Sequence, residues 1–275
     1  LHIILSNFVN WKNILMNQPL SYVHPAAKIA KTVVIEPFTT IGKDVIIGEG
    51  TWIGSNVTIM EGARIGKNCS IYPGAVISGV PQDLKFKGEE TTAEIGDNTV
   101  IRECVTINRG TNWRKKTKIG KNCLIMAYSH IAHDCKVGDN CIFSNNSTLA
   151  GHVTVGDYVT LAGMVAVHQF CNIGRHAFIA GGSLVRKDIP PFVKAAREPL
   201  SYVGINSVGL RRRGFSSEKI REIQNIYRIL YQKKFNNTQA INIIEAEVEA
   251  TSDRDEILVF IKDSQRGIMK GYIQN

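Results

Sequence analysis

The chain has 275 residues, of which 44% are hydrophobic, so it can bury a sizeable core. Its formal net charge of +9 favours acidic partners, such as a phosphorylated ligand or an acidic protein. Lys and Arg are spread along the chain without a DNA- or RNA-binding motif, so we expect no nucleic-acid partner. The six cysteines form no Cys-x-x-Cys pair, which argues against a zinc or redox site and favours a reduced cytoplasm.

Residues 1–22 form an expected N-terminal extension. Its first 15 residues are mostly apolar, but they lack the basic start and the small-residue cleavage site of a signal peptide. The run is also too short to span a bilayer, so we expect no stable insertion into a membrane. Met16 is a candidate start residue, which would make part of this extension non-native.

An aliphatic residue or Phe recurs at every sixth position from Ile29 to Val185, and only Asp83, Glu89 and Trp113 interrupt the series. No helix has a period of six and a flat strand has a period of two, so this repeat predicts a parallel β-helix. Three hexads make one triangular coil with the aliphatic side chains inside, and coils stack about 4.8 Å apart. The predicted fold class is mainly β, and the period does not give the hand of the coil.

The β-helix is expected to span residues 23–190, with two loops leaving it at about 78–94 and 108–118. Asp83 and Glu89 fall on inward positions of the first stretch, where unpaired buried carboxylates would be costly. The second stretch contains a run of basic residues. Loops that leave a rigid scaffold are common places for binding and catalytic groups.

Residues 191–275 are expected to form a linker and then a C-terminal α-helical domain. Ser217 is a candidate N-cap for a first helix, and the apolar spacing around Ile244 predicts a second. Ser252 with Asp255 resembles the capping box of a third helix. These helices would cover the last coil and so hide an open sheet edge.

Histidines gather on one face of the predicted solenoid. His133, His152 and His168 each follow the same inward position of three successive coils, and His130 and Gln169 lie beside them. A chance scatter of surface histidines remains an open alternative. Since His titrates near neutral pH and can take a proton from a hydroxyl, the pattern favours acid–base chemistry.

A metal site on this face is another alternative, because His is a common metal ligand. Two coils of rise separate His133 from His168 by about 10 Å. Zinc–nitrogen bonds of about 2 Å cannot gather such ligands within one chain, although a neighbouring subunit could supply some. We therefore expect no metal and no cofactor.

Two residues next to these histidines could complete a catalytic group. Asp134 could set the tautomer of His133, but neighbours on a strand point to opposite sides, so direct pairing would need a bend at the corner. Gly151 precedes His152 at a corner, where a free backbone N–H could stabilise an oxyanion.

Seven short segments carry a resemblance to a known family. They are VHP at 23–25, QDLK at 82–85, IRE at 101–103, HIAHDC at 130–135, LAGHV at 149–153, AVHQFC at 166–171 and GLRRRGF at 209–215. In these segments the chain resembles the UDP-N-acetylglucosamine O-acyltransferases that begin lipid A biosynthesis in Gram-negative bacteria. The likeness runs from about Tyr22 to the C-terminus, and generic hexapeptide acyltransferases do not share these segments.

The resemblance implies a left-handed parallel β-helix and a homotrimer with active sites between subunits. It implies that a long 3-hydroxyacyl chain passes from the phosphopantetheine thioester of acyl carrier protein to the 3-hydroxyl of UDP-N-acetylglucosamine. His133 would be the general base, Asp134 would support it, and the Gly151 N–H would form the oxyanion hole.

The resemblance also implies a set of substrate-binding residues. The residues that would hold the sugar nucleotide, line the cleft or bind the phosphates are Asp83, Lys85, His130, His152, His168, Gln169, Asn206, Arg212 and Arg213. Gly181 aligns with the position that measures acyl length, where a glycine leaves room for a long chain. Val208 departs from the family, because some members carry a glutamate there near the ribose.

Three rival functions stay open. A paralogous N-acyltransferase that acts on an amine carries a sizeable domain before its β-helix, whereas few residues precede the hexads here. A trimeric zinc carbonic anhydrase-like β-helix would bind metal. A non-catalytic scaffold would need neither the histidines nor an acyl carrier.

Overall fold

The computed structural model describes residues 20–233 and 235–271. Most of the expected N-terminal extension, including Met16, therefore lies outside the described residues. Within the described ranges, no helix is both long and apolar enough to cross a membrane.

Short strands follow one another at the period of the sequence repeat. In chain order they are β1 (Tyr22–Val23), β2 (Lys28–Ile29), β3 (Val34–Ile35), β4 (Thr40–Ile41), β5 (Ile46–Ile47), β6 (Trp52–Ile53), β7 (Thr58–Ile59), β8 (Ala63–Ile65), β9 (Ser70–Ile71), β10 (Val76–Gly79), β11 (Thr92–Ile95), β12 (Val100–Ile101), β13 (Thr106–Asn108), β14 (Lys116–Ile119), β15 (Leu124–Ile125), β16 (His130–Ile131), β17 (Lys136–Val137), β18 (Ile142–Phe143), β19 (Thr148–Leu149), β20 (Thr154–Val155), β21 (Thr160–Leu161), β22 (Ala166–Val167), β23 (Asn172–Ile173), β24 (Phe178–Ile179) and β25 (Leu184–Val185). Every third strand belongs to the same parallel sheet, so the chain winds through three sheets in turn. The period-six prediction of a parallel β-helix is confirmed.

The core is a stack of aliphatic side chains from successive coils. In the first sheet Ile131 pairs with Leu149 and Leu149 pairs with Val167, and all three side chains are at most 3% exposed. Burial of each such side chain contributes about 1.5–3 kcal/mol. The same register aligns the corners, so residues at one position of the repeat stand above one another along the solenoid.

Two loops leave the solenoid where the sequence predicted them, but both are shorter. They span residues 80–91 and 109–115, instead of 78–94 and 108–118. The predicted bounds are wrong because Thr92 pairs with Lys116, so β11 and β14 extend the second sheet into both predicted loops. The basic residue Lys116 therefore lies in a strand.

The segment after the solenoid is not a linker. It forms β26 (Val193–Ala196) and β27 (Ser201–Ile205), then α1 (Ser207–Arg212), α2 (Ser217–Gln232), α3 (Asn237–Glu247), α4 (Ser252–Asp263) and β28 (Lys270–Gly271). The prolines at 190 and 191 end the hexads, but the edge of the third sheet still offers unpaired backbone groups. β26 adds to β24 in parallel and β27 adds to β26 in antiparallel fashion.

Two helix caps lie one residue before the residues predicted from the sequence. Ser216 caps α2 and Thr251 caps α4, because an N-cap residue precedes the first helical residue and its side chain accepts a backbone N–H of the first turn. The predicted capping box at Ser252 is thus wrong. A capping box forms instead at the start of α3, between Asn236 and Gln239.

Candidate active site

A turn after β16 pairs His133 with Asp134. His133 Nδ1 lies 2.8 Å from Asp134 Oδ2. Asp134 adopts a left-handed backbone conformation with φ of 59°, at the corner that leads from the first sheet to the second. The strand rule that separates neighbouring side chains does not apply, because both residues lie in this turn. The His133 side chain is 11% exposed and the Asp134 side chain is fully buried.

Four donors surround the Asp134 carboxylate. Oδ1 accepts the backbone N–H groups of Thr111 and Arg114, both at 3.0 Å. Oδ2 accepts the Thr111 hydroxyl at 2.6 Å and His133 Nδ1 at 2.8 Å. Burial disfavours the charged carboxylate, but the hydrogen bonds from these groups outweigh it and hold the pKa of Asp134 well below its ordinary value. Since an ionised carboxylate only accepts, it fixes the proton of His133 on Nδ1.

The pH dependence of this carboxylate follows from the direction of its shift. Because the pKa of Asp134 is lower in the folded protein, its ionised form stabilises the fold above the ordinary carboxylate pKa of about 3.9. That stability is lost only as the pH falls from this value towards the lower folded pKa. Between neutral pH and about pH 5, the charge that orients His133 is therefore constant.

Sequence reasoning missed the loop residues that hold this carboxylate. Besides its backbone N–H, Arg114 donates from Nη1 to the Asp134 carbonyl oxygen at 2.9 Å. The loop at 109–115 thus closes over the buried side of the His133–Asp134 pair. Trp113 could have drawn attention to this loop, since it stands at an inward position of the repeat where an aliphatic residue was expected.

The second ring nitrogen of His133 lies against the backbone of Gly151. A Cβ placed on residue 151 would approach His133 Nε2 to 2.7 Å and Cε1 to 2.6 Å, so glycine alone leaves room for the imidazole. Within the described residues, no group accepts the Gly151 N–H. His133 Nε2 and a backbone donor therefore share one side of the site.

Aromatic rings enclose His152, the next histidine of the site. Phe170 stacks on its ring at 4.4 Å between centroids, and Trp113 meets it edge-on at 5.6 Å. The His133 and His152 rings are 5.0 Å apart. Burial lowers the pKa of His152 from its ordinary value, against the opposing charge of Asp134. Phe170 lies one coil after His152 and two coils after Asp134 at the same position of the repeat. This spacing could have placed Phe170 in the site from the sequence.

The same group of residues bears on the metal alternative. Ligand atoms of His133, Asp134 and His152 all lie within 4.8 Å of one another. The distance argument from the sequence, which used His133 and His168, is therefore wrong for this trio. The donor set opposes a metal on other grounds, because each Asp134 oxygen already accepts two hydrogen bonds and has two lone pairs.

The other residues predicted to line the cleft lie at different distances from the His133–Asp134 pair. His130 Nδ1 lies 2.7 Å from Thr106 Oγ1, and burial together with nearby His133 lowers the pKa of His130. His168 and Gln169 are exposed at the same corner, and His168 Nδ1 lies 3.0 Å from the Gln169 carbonyl oxygen. The structure shows no direct contact between His168 and the His133 ring.

Asp83 and Lys85 lie in the loop at 80–91. Asp83 Oδ1 accepts the Lys85 backbone N–H at 3.0 Å. This loop joins β10 of the first sheet to β11 of the second, so it leaves the solenoid at the corner that carries His133 and Asp134. Lys85 is exposed at the surface.

The three predicted phosphate-binding residues lie elsewhere on the chain. Asn206 caps α1 through a hydrogen bond from the Gly209 N–H at 3.2 Å, and its Nδ2 donates to the His176 carbonyl at 2.9 Å. Arg213 lies over the Tyr158 ring at 5.3 Å. His176 belongs to the corner between the second and third sheets, so one chain does not bring these groups to His133.

Two predicted positions concern the acyl chain and the nucleotide. Gly181 lies at the corner after β24, where an added Cβ would be 3.1 Å from the Gly163 carbonyl oxygen. Val208 is exposed in α1. Neither residue contacts the His133–Asp134 pair.

Comparison with known proteins gives the family. The family model described as "Udp N-acetylglucosamine O-acyltransferase; Domain 2" matches residues 188–269, and the bacterial transferase hexapeptide model matches residues 44–79 and 116–151. An acyl-[acyl-carrier-protein]–UDP-N-acetylglucosamine O-acyltransferase from Myxococcus xanthus is 45% identical over 197 residues, which cover 71% of this chain and 76% of that protein. The chain belongs to the UDP-N-acetylglucosamine O-acyltransferase family.

Solved members of the UDP-N-acetylglucosamine O-acyltransferase family share the whole architecture. The crystal structure from Bacteroides fragilis has a TM-score of 0.91 and 49% identity, covering 93% of this chain and 100% of that one. The enzyme from Francisella novicida has a TM-score of 0.89 and 43% identity, covering 92% and 93%. The predicted family and the left-handed β-helix with C-terminal helices are confirmed, and the chain is an acyltransferase.

Proposed function

We propose that this protein transfers a long 3-hydroxyacyl chain from acyl carrier protein to the 3-hydroxyl of UDP-N-acetylglucosamine, the first step of lipid A biosynthesis. The observation that carries the proposal is the His133–Asp134 pair with its free ring nitrogen against Gly151. Acyl transfer to a hydroxyl needs a base to take the proton and a donor to hold the oxyanion, and this arrangement offers both.

The proposed reaction moves one proton through His133. Nε2 takes the proton of the sugar 3-hydroxyl as that oxygen forms a bond to the thioester carbonyl carbon. The carbonyl oxygen becomes an oxyanion, which the Gly151 N–H stabilises. Collapse of this intermediate restores the carbonyl and breaks the carbon–sulfur bond, and the proton on Nε2 passes to the leaving sulfur. The products are an ester and a free thiol, and His133 returns to its neutral form.

Asp134 would orient the imidazole and stabilise its protonated form during this step. The carboxylate need not accept the proton itself, because its low pKa keeps it ionised. His130, His152, His168 and Gln169 would line the cleft around the sugar. Burial lowers the pKa values of His130 and His152, so both would be neutral near pH 7 and could hydrogen-bond a substrate without adding charge.

The acceptor experiment separates this function from its rivals. Purified protein is given an acyl carrier thioester with either UDP-N-acetylglucosamine or a 3-O-acylated UDP-glucosamine that offers an amine, and products are identified by mass spectrometry. We expect acylation of the first acceptor, with an ester that mild base releases. Exclusive acylation of the amine would instead establish the N-acyltransferase function.

Removal of metal ions tests the carbonic anhydrase-like alternative. We expect the acylation rate to be unchanged after EDTA treatment, since no proposed step uses a metal.

We also propose that the active enzyme is a homotrimer whose sites lie between subunits. Three exposed apolar side chains, Phe38, Tyr128 and Met164, are 61%, 64% and 68% exposed at the same corner of the solenoid. Burial of these three side chains against another chain would remove their apolar surface from water. A neighbouring subunit could also bring Asn206, Arg212 and Arg213 to the His133 face, with Asp83 and Lys85 at the sugar.

Mixed trimers test this arrangement. We expect His133→Ala and Arg213→Ala to be weakly active when each is expressed alone. Co-expression should restore part of the activity, because some sites in a mixed trimer then combine an intact His133 with an intact Arg213. Native mass spectrometry should show particles of three times the 30.4 kDa chain mass. Absence of rescue in proven mixed trimers would contradict sites formed between subunits.

Gly181 is proposed to set the length of the acyl chain. An added Cβ there has the Gly163 carbonyl oxygen at 3.1 Å and Ala162 Cβ at 3.9 Å, so a longer side chain must extend away from the solenoid into the space beside it. We expect Gly181→Met to shift the preferred donor to a shorter acyl chain. The measurement is a competition among carrier thioesters of increasing length, and an unchanged preference would remove Gly181 from this role.

The remaining partner and compartment are proposed from charge and chemistry. A formal net charge of +9 suits docking of an acidic carrier protein with its 3-hydroxyacyl-phosphopantetheine arm. Five of the cysteines are buried and unpaired, which is typical of a reducing compartment, so we place the enzyme in the cytoplasm. Recognition of uridine would proceed without the glutamate that Val208 replaces.

A further inference from the structure

We infer that Thr111 is a positioning residue for the proposed reaction, acting through Asp134 on the general base. Within the described residues, no hydrogen bond joins Thr111 to the His133 ring, and the two residues meet through Asp134 Oδ2. Its hydroxyl and its backbone N–H both bind the Asp134 carboxylate, one on each oxygen. The inference rests on the proposed function, because it assigns a role within that reaction.

The geometry leaves the carboxylate one orientation. Thr111 Oγ1 lies 2.6 Å from Oδ2 and Thr111 N lies 3.0 Å from Oδ1, so one residue holds both oxygens. Arg114 N supplies the second donor to Oδ1 at 3.0 Å. Oδ2 then has one further lone pair, and His133 Nδ1 uses it at 2.8 Å. Rotation of the carboxylate would break several of these bonds at once.

Of the two donors that Thr111 offers to Asp134, only the side-chain hydroxyl depends on the identity of the residue. Any residue at 111 except proline supplies the backbone N–H, but only Thr and Ser supply a hydroxyl at the same place. Thr111 is nearly buried, so water cannot easily replace that hydroxyl. A hydrogen bond to a buried charged group is among the stronger ones in proteins.

Loss of the hydroxyl should affect both orientation and charge. Without it, the carboxylate keeps three of its four donors but is held less firmly, so the direction of the imidazole towards the substrate is less well fixed. The Thr111 hydroxyl also competes with His133 for Oδ2, so its removal leaves more negative charge facing the imidazole. That charge stabilises the protonated base, and the acid limb of the activity profile should move to higher pH.

The test compares Thr111→Val with Thr111→Ser and a matched control. We expect Thr111→Val to lower kcat by about 10–100-fold, with KM values changed by less than about threefold. The acid limb of kcat/KM should move to higher pH, and Thr111→Ser should restore most of both properties. Thr117→Val is the control, because Thr117 is buried in β14 with a hydroxyl that has no partner, and its activity should not change.

A structural role would give a different pattern. If Thr111 only packs, Val should keep activity better than Ser, and any loss should follow thermal stability without a shift in the pH profile. That result would overturn the inference. Proton NMR of the His133 Nδ1–H in the free protein gives a readout without substrate, and we expect its resonance to move in Thr111→Val but not in Thr117→Val. If the wild-type protein failed to O-acylate UDP-N-acetylglucosamine, the proposed function would be overturned, whatever the NMR result.

Discussion

Replacement of His133 by Ala is expected to lower kcat by about 10²–10⁴-fold. The substitution removes Nε2, the ring nitrogen that lies against the Gly151 backbone and is proposed to take the proton. Asp134 keeps the donors from Thr111 and Arg114, so the turn should stay folded. Steady-state acylation of UDP-N-acetylglucosamine, measured by mass spectrometry, gives the loss.

The control for this variant is a histidine outside the site. His24 lies on the first coil, where its Nδ1 accepts the Ala26 N–H. We expect His24→Ala to keep wild-type activity, and both variants should keep the wild-type thermal transition and mass. A rate for His133→Ala within about threefold of wild type would remove His133 from the mechanism.

The second large effect is expected for Gly151→Ala, with a loss of kcat on the order of 100-fold or more. The new Cβ would lie 2.6–2.7 Å from two atoms of the His133 ring, so the imidazole must shift away from its position against the backbone. The shifted imidazole would no longer be in reach of the oxyanion donor and the sugar hydroxyl together. The same acylation assay measures the loss.

Gly163 provides the matched control, because it stands at the same position of another hexad. An added Cβ at 163 would meet only the Asn145 carbonyl oxygen, at an ordinary distance of 3.5 Å. We expect Gly163→Ala to retain most of the activity with the same acyl donor. Equal losses in the two variants would mean that any side chain on these corners disturbs the solenoid, and that Gly151 has no special role.

The period-six pattern predicted the solenoid because one constraint repeats in every coil. Residues such as Ile131 and Leu149 must be aliphatic to fill the interior, and that requirement is visible in the sequence. The C-terminal strands were not predicted, since the third sheet accepts Val193–Ala196 through backbone groups that any residue provides. The caps at Ser216 and Thr251 were each missed by one residue, because several hydroxyl residues are adjacent there.

The sequence repeat also predicted part of the candidate site. The repeat places His133 and His152 one coil apart, and the rings are indeed in contact at 5.0 Å. The bond between His133 and Asp134 depends on the left-handed turn at Asp134, which the strand rule could not give. Thr111 reaches the carboxylate from a loop outside the repeat, so no periodicity points to it.

The position of the sugar 3-hydroxyl relative to His133 tests the central claim most directly. A crystal structure of the protein with UDP-N-acetylglucosamine should place that oxygen within about 2.6–3.2 Å of His133 Nε2, on the side of Gly151. A well-defined sugar whose 3-hydroxyl lies beyond reach of Nε2, hydrogen-bonded to another base, would contradict the mechanism.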